Sequence, residues 1–488
     1  MRTITVRVFR FDPKRDREPR YQAYTLDVNE GARVLHALHA IHEQDPTLSY
    51  RYCCGSGQCG SCAVRVNGVP ALACMREAED GMTVEPLELP IQKDLVVDIA
   101  PLLANIASIA VPAEEVPLTK EDIERIKPLR DCIECLSCVS SCPALTVADF
   151  AGPTAMRQQL RLALDPRDTK DRIAEGIEKG LFTCTTCGAC YKVCPKSIKI
   201  PGKAIEKLRE VANRRGLTLP RHQEVARLVE ETGRSITRTR PTFLEQVPEV
   251  IEPYGEVRGE IGFFVGCMYN GRVPETALDM IEVMRRNGIR VIVPHDQVCC
   301  GSPLIRTGQT RILPDLQQKN IEAFRKRGVK MVMTMCAGCG STLKNDYEGL
   351  PFVVKDVTEV LTEYGIEPPA RLPLVATYHD PCHLLRGQGI SEQPRGLLKQ
   401  VVEQFVEIPS QCCGAGGGVR SGLPEEAKAL AHKRSEAIRK GGAEVVVTAC
   451  PFCEFHIQEN TDRPVRHICS LLLEGYREKD RQKTVPAD

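Results

Sequence analysis

One cysteine pattern occurs twice in the C-terminal half of this 488-residue chain, and it constrains the fold more than any other feature. The first copy is spaced C-x31-CC-x35-C-x2-C and the second C-x29-CC-x36-C-x2-C. Disulfide geometry does not suit neighbouring cysteines, so the adjacent pairs point to metal ligands. The two sets are Cys267, Cys299, Cys300, Cys336 and Cys339, and Cys382, Cys412, Cys413, Cys450 and Cys453.

Around these cysteines, each copy alternates predicted strands and helices. The order is strand, helix, strand, cysteine pair, helix, strand, CxxC. Such alternation favours an α/β fold with parallel strands. The cysteines then gather at strand ends, where α/β sites usually form. We therefore predict a duplicated α/β domain, with copies at 259–372 and 373–488.

The composition favours a cytoplasmic metalloprotein over a membrane or nucleic-acid-binding protein. The chain has 24 cysteines, and in a reducing compartment clustered thiols bind metal rather than form disulfides. Its N-terminus lacks an apolar signal core. The most apolar window, 95–111, contains Asp98, Pro101 and Asn105 and is shorter than the roughly 20 residues of a membrane helix. A net charge of +1 and the absence of Trp give no indication of nucleic acid binding.

Residues 1–107 are predicted to form a small mixed sheet crossed by a helix, a β-grasp ferredoxin domain. Two alternating strands, 3–11 and 21–28, precede a helix over 31–44. Two short strands then flank Asn67-Gly68, the preferred type I′ hairpin turn.

A C-x4-C-x2-C motif within this domain is typical of a plant-type [2Fe–2S] cluster. Its glycines supply the tight loop that such a cluster needs. A structural zinc site is the alternative, but zinc usually takes two paired knuckles. The predicted ligands are Cys54, Cys59, Cys62 and Cys74.

Two C-x2-C-x2-C-x3-C-P runs follow in a helical domain at 108–215, whose first helix starts with a Thr119–Asp122 capping box. They match the bacterial ferredoxin run, in which the fourth cysteine ligates the other cluster. The first [4Fe–4S] cluster is predicted to take Cys132, Cys135, Cys138 and Cys194, and the second Cys142, Cys184, Cys187 and Cys190. A charged stretch, 234–260, has weak periodicity, and residues 216–258 are predicted to be a linker.

The first 215 residues resemble the iron–sulfur subunit of succinate dehydrogenase and fumarate reductase, through "QCGSCAVRVNG", "ALAC", "QKDLVVD" and the two ferredoxin runs. That family often has an aliphatic residue where this chain has Cys187, and its cluster nearest the quinone is then [3Fe–4S]. A cysteine here implies a complete [4Fe–4S] cluster with a lower potential, which argues against a quinone as electron acceptor.

The C-terminal half resembles the catalytic B subunit of heterodisulfide reductase, with its CCG domains. "FFVGCMYN", "YHDPCHL" and "CCGAGGG" carry this resemblance. It implies two non-cubane [4Fe–4S] clusters with five cysteines each. The glycines after Cys413 are then explained by backbone passing close to the cluster. A nucleotide loop is a poor alternative, because G-x-G-x-x-G does not fit.

The fusion of both halves resembles the iron–sulfur B subunits of thiol:fumarate reductases (coenzyme M/coenzyme B) of methanogenic archaea. This resemblance implies one [2Fe–2S], two cubane and two non-cubane clusters. It implies that the CCG half oxidises coenzyme M and coenzyme B thiols to the heterodisulfide. A separate flavoprotein, the fumarate reductase A subunit that holds the FAD, would reduce fumarate to succinate. The chain has no flavin fingerprint of its own.

Three histidines near the CCG cysteines, His295, His379 and His383, are candidate proton donors, because imidazole titrates near neutral pH. Holding the loop by hydrogen bonds is an equally good interpretation. Cys53 and Cys469 receive no role. Two alternatives to the thiol:fumarate reductase remain: a quinol-linked enzyme whose CCG domain docks on a membrane, and a pure electron-transfer module.

Overall fold

A computed structural model describes residues 1–110, 115–239 and 241–484. They form two compact units: the first contains Met1–Leu181 and Gly188–Leu208, and the second contains Phe182–Cys187 and the chain from Arg209 onward. The end of the apolar window at 111, residue 240 of the predicted linker and the C-terminal 485–488 lie outside the described residues. No helix within the described ranges is long and apolar enough to span a membrane.

The first unit opens with the predicted mixed sheet. Its strands are ordered β2-β1-β5-β3-β4. The bounds are β1 (Arg2–Arg10), β2 (Arg20–Val28), α1 (Val34–Gln44), β3 (Ala63–Val66), β4 (Val69–Leu72) and β5 (Thr83–Glu85). Helix α1 buries Val34, Leu35, Leu38 and Ile41, the face that the sequence predicts.

The hairpin turn between β3 and β4 is also confirmed. Asn67 and Gly68 have φ of 51° and 77°, the left-handed conformation of a type I′ turn.

The rest of the first unit is mainly helical. Its elements are β6 (Ile91–Lys93), β7 (Val96–Val97), α2 (Ala100–Ala104), α3 (Lys120–Arg130), α4 (Ser137–Ser140), α5 (Pro153–Ala163), α6 (Arg172–Glu178), α7 (Ala189–Lys192) and the start of α8 (Glu206–Arg214). Helix α3 begins with the predicted capping box: Thr119 Oγ1 accepts from Asp122 N–H, and the Asp122 carboxylate accepts from Thr119 N–H.

The second unit contains the duplicated α/β domain. In the first copy, the strands are ordered β12-β11-β9-β10-β8, and all neighbours are parallel except β8. The elements are α9 (Pro220–Thr232), α10 (Phe243–Gln246), β8 (Val250–Ile251), β9 (Gly259–Phe264), α11 (Gly266–Gly271), α12 (Pro274–Arg286), β10 (Ile289–Ile292), α13 (Ser302–Thr307), α14 (Leu313–Arg325), β11 (Met331–Thr334), α15 (Ala337–Asn345), β12 (Val353–Asp356) and α16 (Val357–Tyr364).

The second copy repeats this plan with a fully parallel sheet, ordered β14-β13-β15-β16. Its elements are β13 (Leu372–Tyr378), α17 (Cys382–Gln388), α18 (Glu392–Val401), β14 (Val402–Val406), α19 (Val419–Gly422), α20 (Pro424–Lys440), β15 (Val445–Thr448), α21 (Pro451–Gln458), β16 (Val465–His467) and α22 (Ile468–Thr484). One continuous hydrophobic core joins both copies.

The segment predicted as a linker is more ordered than expected. It contains α9 and α10, and β8 pairs with β10 of the first copy. Helix α10 and strand β8 have four and two residues and carry little periodicity, whereas α9 is a helix of 13 residues.

Candidate iron–sulfur sites

The predicted [2Fe–2S] loop has the backbone that a cluster requires. Gly55, Gly57 and Gly60 all adopt left-handed conformations. Backbone N–H groups of Ser56 and Gln58 donate to Cys54 Sγ at 3.4 and 3.3 Å. These hydrogen bonds lower the pKa of Cys54 to about 6 and favour the thiolate that binds iron.

Of the other predicted ligands, Cys62 and Cys74 are buried and Cys59 is partly buried, whereas Cys53, to which no role is assigned, is exposed like Cys54.

The [2Fe–2S] loop lies directly against the first ferredoxin run, within the same unit. A Cβ on Gly60 would come within 2.7 Å of the Ile133 carbonyl oxygen and 2.9 Å of Cys135 Cβ. Only glycine allows the two backbone segments to approach so closely. The predicted [2Fe–2S] site and the first predicted [4Fe–4S] site are therefore in contact.

The four predicted ligands of the first [4Fe–4S] cluster line one buried cavity: Cys132, Cys135, Cys138 and Cys194. Backbone N–H groups of Glu134 and Ile198 each donate to a cysteine sulfur at 3.4 Å. Burial raises the pKa of the Cys138 thiol, so a bound metal must compensate its thiolate.

Both ferredoxin runs share one backbone conformation. The residues two and four positions after the first cysteine are left-handed in each: Glu134 and Leu136, and Thr186 and Gly188. The same fold of the C-x2-C-x2-C turn therefore forms twice. Of the second ligand set, Cys142 and Cys190 belong to the first unit and Cys184 and Cys187 to the second, so this assignment stays a prediction.

All ten CCG cysteines line a single cavity of about 500 Å³ in the second unit. Six of them follow the carboxyl ends of β9, β11, β13 and β15, and the two adjacent pairs follow β10 and β14. The carboxyl ends of these parallel strands lie at one edge of each sheet.

Each adjacent cysteine pair divides its contacts in the same way. Cys300 Sγ lies 3.4 Å from Cys339 Sγ, and Cys413 Sγ lies 3.4 Å from Cys453 Sγ. The other members, Cys299 and Cys412, contact the first cysteine of their set, Cys267 and Cys382 respectively. Adjacent cysteines thus connect the two sides of each five-cysteine site.

Contacts also run between the sites. Cys336 of the first copy contacts Cys450 of the second. Cys412 contacts Cys187, a predicted ligand of the second cubane cluster that lies in the same unit.

Arginine side chains line the cavity. Among the described residues, its lining includes four arginines and no acidic side chain: Arg221, Arg272, Arg306 and Arg420. Three of them pair with carboxylates, on Glu224, Asp346 and Glu459. Arg272 donates through Nε to the Thr237 carbonyl and has no carboxylate partner in the described part of the chain.

Sequence reasoning missed these arginines and His222, which also lines the cavity. Arg221 and His222 lie on α9, in the segment predicted as a linker. Pro220 at the start of α9 is a helix-start signal that could have revealed this helix.

The three predicted histidines have different positions. His383 lines the cavity, and its Nε2 hydrogen-bonds the Thr186 carbonyl at 3.1 Å. A carbonyl only accepts, so Nε2 carries the proton and Nδ1 is left as an acceptor. His379 is fully buried, and one ring nitrogen lies within 4.8 Å of Cys413 Sγ and Cys453 Sγ. His295 is exposed and does not line the cavity.

The backbone N–H of His295 donates to Glu249 Oε1 at 3.5 Å, four residues before Cys299 of the cavity. Its role as a proton donor stays a prediction.

Buried groups beside the second site fit a sulfide-rich cofactor. Both ring nitrogens of His379 and two nitrogens of the Arg434 guanidinium, Nε and Nη2, are buried without a hydrogen-bond partner among the described residues. Buried polar groups are normally satisfied, so an acceptor such as cluster sulfur is expected here.

The glycines after Cys413 are explained by close packing of protein backbone. A Cβ on Gly417 would come within 2.4 Å of the Cys184 carbonyl oxygen, and one on Gly418 within 2.6 Å of His222 Nε2. The "CCGAGGG" loop therefore packs directly on the second ferredoxin run, a more specific reason than the predicted approach to a cluster.

Family models match along the chain in the same order. A 2Fe-2S iron–sulfur cluster binding domain matches residues 5–104, a 4Fe-4S dicluster domain 128–198, and a cysteine-rich domain 261–344 and 376–458. These domains and the thiol-lined sites define an iron–sulfur oxidoreductase subunit.

Curated relatives define the family more narrowly. The chain is 43% identical over 97% of its length, and over 99% of the relative, to the B subunit of fumarate reductase (CoM/CoB) from Methanothermobacter marburgensis. It is 28% identical to the D subunit of dihydromethanophenazine:CoB–CoM heterodisulfide reductase from Methanosarcina barkeri, over 69% of this chain and 90% of that protein. The chain belongs to the family of fumarate reductase (CoM/CoB) B subunits.

Among solved structures, a hypothetical protein from Helicobacter pylori covers 98% of this chain and 96% of its own length. The TM-score is 0.63 at 14% identity, so this likeness concerns the fold alone.

Proposed function

We propose that this chain oxidises two thiols, those of coenzyme M and coenzyme B, to their mixed disulfide in the ten-cysteine cavity. The two thiols lose two protons and two electrons as the S–S bond forms. A flavoprotein partner that holds FAD uses two electrons and two protons to reduce fumarate to succinate. Bound iron–sulfur clusters supply the one-electron transfers between these two reactions.

One observation carries this proposal: the cysteines of both copies face one cavity rather than two. Two thiols that must join need to be held side by side, and a shared cavity supplies that proximity. The volume of about 500 Å³ is within the usual range for small-molecule sites.

The charge of the cavity supports anionic substrates. Coenzyme M carries a sulfonate and coenzyme B a phosphate, and guanidinium groups are well suited to both. Arg272 is the best candidate because its charge is not already neutralised by a carboxylate in the described part of the chain.

Apolar side chains such as Val225, Met268 and Phe452 line the same cavity and suit the aliphatic part of a thiol. His383 presents Nδ1 as a hydrogen-bond acceptor for a thiol S–H, and burial lowers the pKa of the imidazole to about 4, so the ring stays neutral.

The decisive experiment uses the anaerobically purified chain with its flavoprotein partner. Fumarate reduction is measured with both thiols together, with each thiol alone, and with a low-potential dye. We expect activity with both thiols or with the dye, and none with one thiol. Dye-driven activity without thiol-driven activity would favour the electron-transfer module, and quinol-driven activity would favour the quinol-linked enzyme.

A further inference from the structure

The two CCG copies differ at one pair of corresponding buried positions. Asn320 lies sixteen residues before Cys336, on α14, and Arg434 lies sixteen residues before Cys450, on α20. Both side chains are 1% exposed. The duplicated scaffold therefore places a neutral amide beside one site and a cation beside the other.

The side-chain amide of Asn320 forms hydrogen bonds that hold the backbone of the first site. Its amide donates to the Cys299 carbonyl and to Tyr347 OH, and its carbonyl accepts from Val298 N–H. This is a structural role that needs no charge.

Arg434 has a different environment. Nη1 donates to the Pro409 carbonyl, whereas Nε and Nη2 have no partner in the described part of the chain. Its charge interacts with the Asp380 carboxylate and with the thiols of Cys413, Cys453 and Cys382. Two buried N–H donors thus remain available beside the cysteines of the second site.

The carboxylate that interacts with Arg434 is shared with a second arginine. Asp380 forms a two-pronged ion pair with Arg395, with both contacts at 2.8 Å, so its charge is divided between two guanidinium groups. Arg386 adds a second cation near Cys382 and Cys412, where the first copy has Gly271 four residues after its first cysteine. At the first site, Arg234 interacts with Cys267, and its Nη1 is also buried without a partner among the described residues. The first site therefore has one such donor from Arg234, and the second has two from Arg434.

We propose that Arg434 raises the reduction potential of the cluster held by the second copy, so that this copy collects the electrons released in the cavity. A buried cation and N–H donors both stabilise the more negative, reduced state of a cluster, and a low dielectric strengthens the effect. This inference rests on the proposed cluster binding, and it adds that the two sites are electronically different.

The position of the second site agrees with a collecting role. Cys412 contacts Cys187, and Arg386 Nη1 donates to the Cys187 carbonyl at 3.2 Å. Electrons that gather at the second copy are therefore next to a predicted ligand of the second cubane cluster.

The test is an anaerobic redox titration of the full chain, followed by EPR. Cys413→Ser first identifies which non-cubane signal belongs to the second site. In the unaltered protein, we expect that signal to titrate at a higher potential than the first-site signal. Arg434→Asn introduces the residue that the first copy has at this position. In this variant, the ratio of reduced to oxidised second-site cluster at a fixed potential should fall at least tenfold. A tenfold change corresponds to about 59 mV for one electron.

Two controls separate charge from structure. Arg434→Lys retains the cation and should keep the second-site potential, and Arg439→Asn removes an exposed arginine from the same helix and should change nothing. The first-site signal should stay constant throughout.

An unchanged second-site potential in Arg434→Asn, or a second-site potential below the first in the unaltered protein, would overturn the inference. Absence of both non-cubane signals from iron-loaded protein would instead overturn the proposed function, and this inference with it.

Discussion

Cys412 and Cys413 contact different partners although they are neighbours in the chain. One faces Cys382 and the other Cys453, because consecutive side chains in this extended turn point to opposite sides. The same division at Cys299 and Cys300 shows why the pair occurs twice. A single cysteine at either position could reach only one side of its site.

Replacing Cys187 by isoleucine tests its assignment to the second cubane cluster. Without a fourth thiolate, one iron becomes labile, so the cluster should convert to [3Fe–4S]. We expect a new EPR signal in the oxidised protein and a loss of about one iron per chain. If neither appears while the other clusters are retained, Cys187 is not a ligand.

Arg272→Gln tests anion recognition in the cavity. Loss of one charge-assisted hydrogen bond costs about 1.5–3 kcal/mol, so KM for one of the two thiols should rise roughly tenfold to a hundredfold while kcat changes little. The control is Arg325→Gln, an exposed arginine outside the cavity. Unchanged KM values for both thiols would show that Arg272 does not bind the anionic group.

The loop 413–418 owes its glycines to the surface on which it packs. Gly417→Ala would place a methyl group 2.4 Å from the Cys184 carbonyl oxygen, so we expect a loss of about 1–3 kcal/mol in the free energy of unfolding. Gly442→Ala is a matched control, since Gly442 has a similar positive φ but open space around it. Equal losses in the two variants, measured by denaturant unfolding of the iron-loaded protein, would mean that backbone strain alone is responsible.

Helix α16 begins at a buried carboxyl group whose protonation should affect stability. Asp356 Oδ1 accepts from Thr358 N–H, whereas Oδ2 is buried without a partner among the described residues. Burial raises the pKa of Asp356 to about 7. The folded state therefore binds a proton more tightly than the unfolded state, and this contribution to stability decreases as pH rises from about 4 to about 7.

Asp356→Asn mimics the protonated carboxyl group. We expect it to be more stable than the unaltered protein at pH 8, by about 1–3 kcal/mol, and to remove this part of the pH dependence. Thermal unfolding at pH 5 and pH 8 measures both effects. A stability difference that is the same at the two pH values would contradict the buried-carboxyl explanation.

The proposed function assigns thiol chemistry to this chain and fumarate chemistry to its flavoprotein partner. Cys413→Ser replaces a soft thiolate with a poor ligand for iron and should damage only the second non-cubane cluster. Thiol-driven fumarate reduction by the complex should then fall by orders of magnitude, while dye-driven reduction persists. Equal loss of both activities would mean that the CCG half is needed for folding rather than for catalysis.

Much of the domain plan could be predicted because the evidence is local in the chain. Motif spacing, the Asn67-Gly68 turn, the Thr119 capping box and alternating strands each depend on residues close in sequence. In the segment predicted as a linker, α10 and β8 are too short to give a periodic pattern, and α9 was missed although Pro220 marks its start.

By itself, the sequence determined which residue types are available to bind iron, how they are spaced, and that one α/β domain is duplicated. The three-dimensional arrangement was needed to show that ten cysteines share one cavity, that His383 lines it while His295 does not, and that α9 contributes His222. It also revealed the cationic lining and the difference between Asn320 and Arg434. The physical reason is that these features join residues far apart in the chain, and their proximity depends on how strand ends and helices pack.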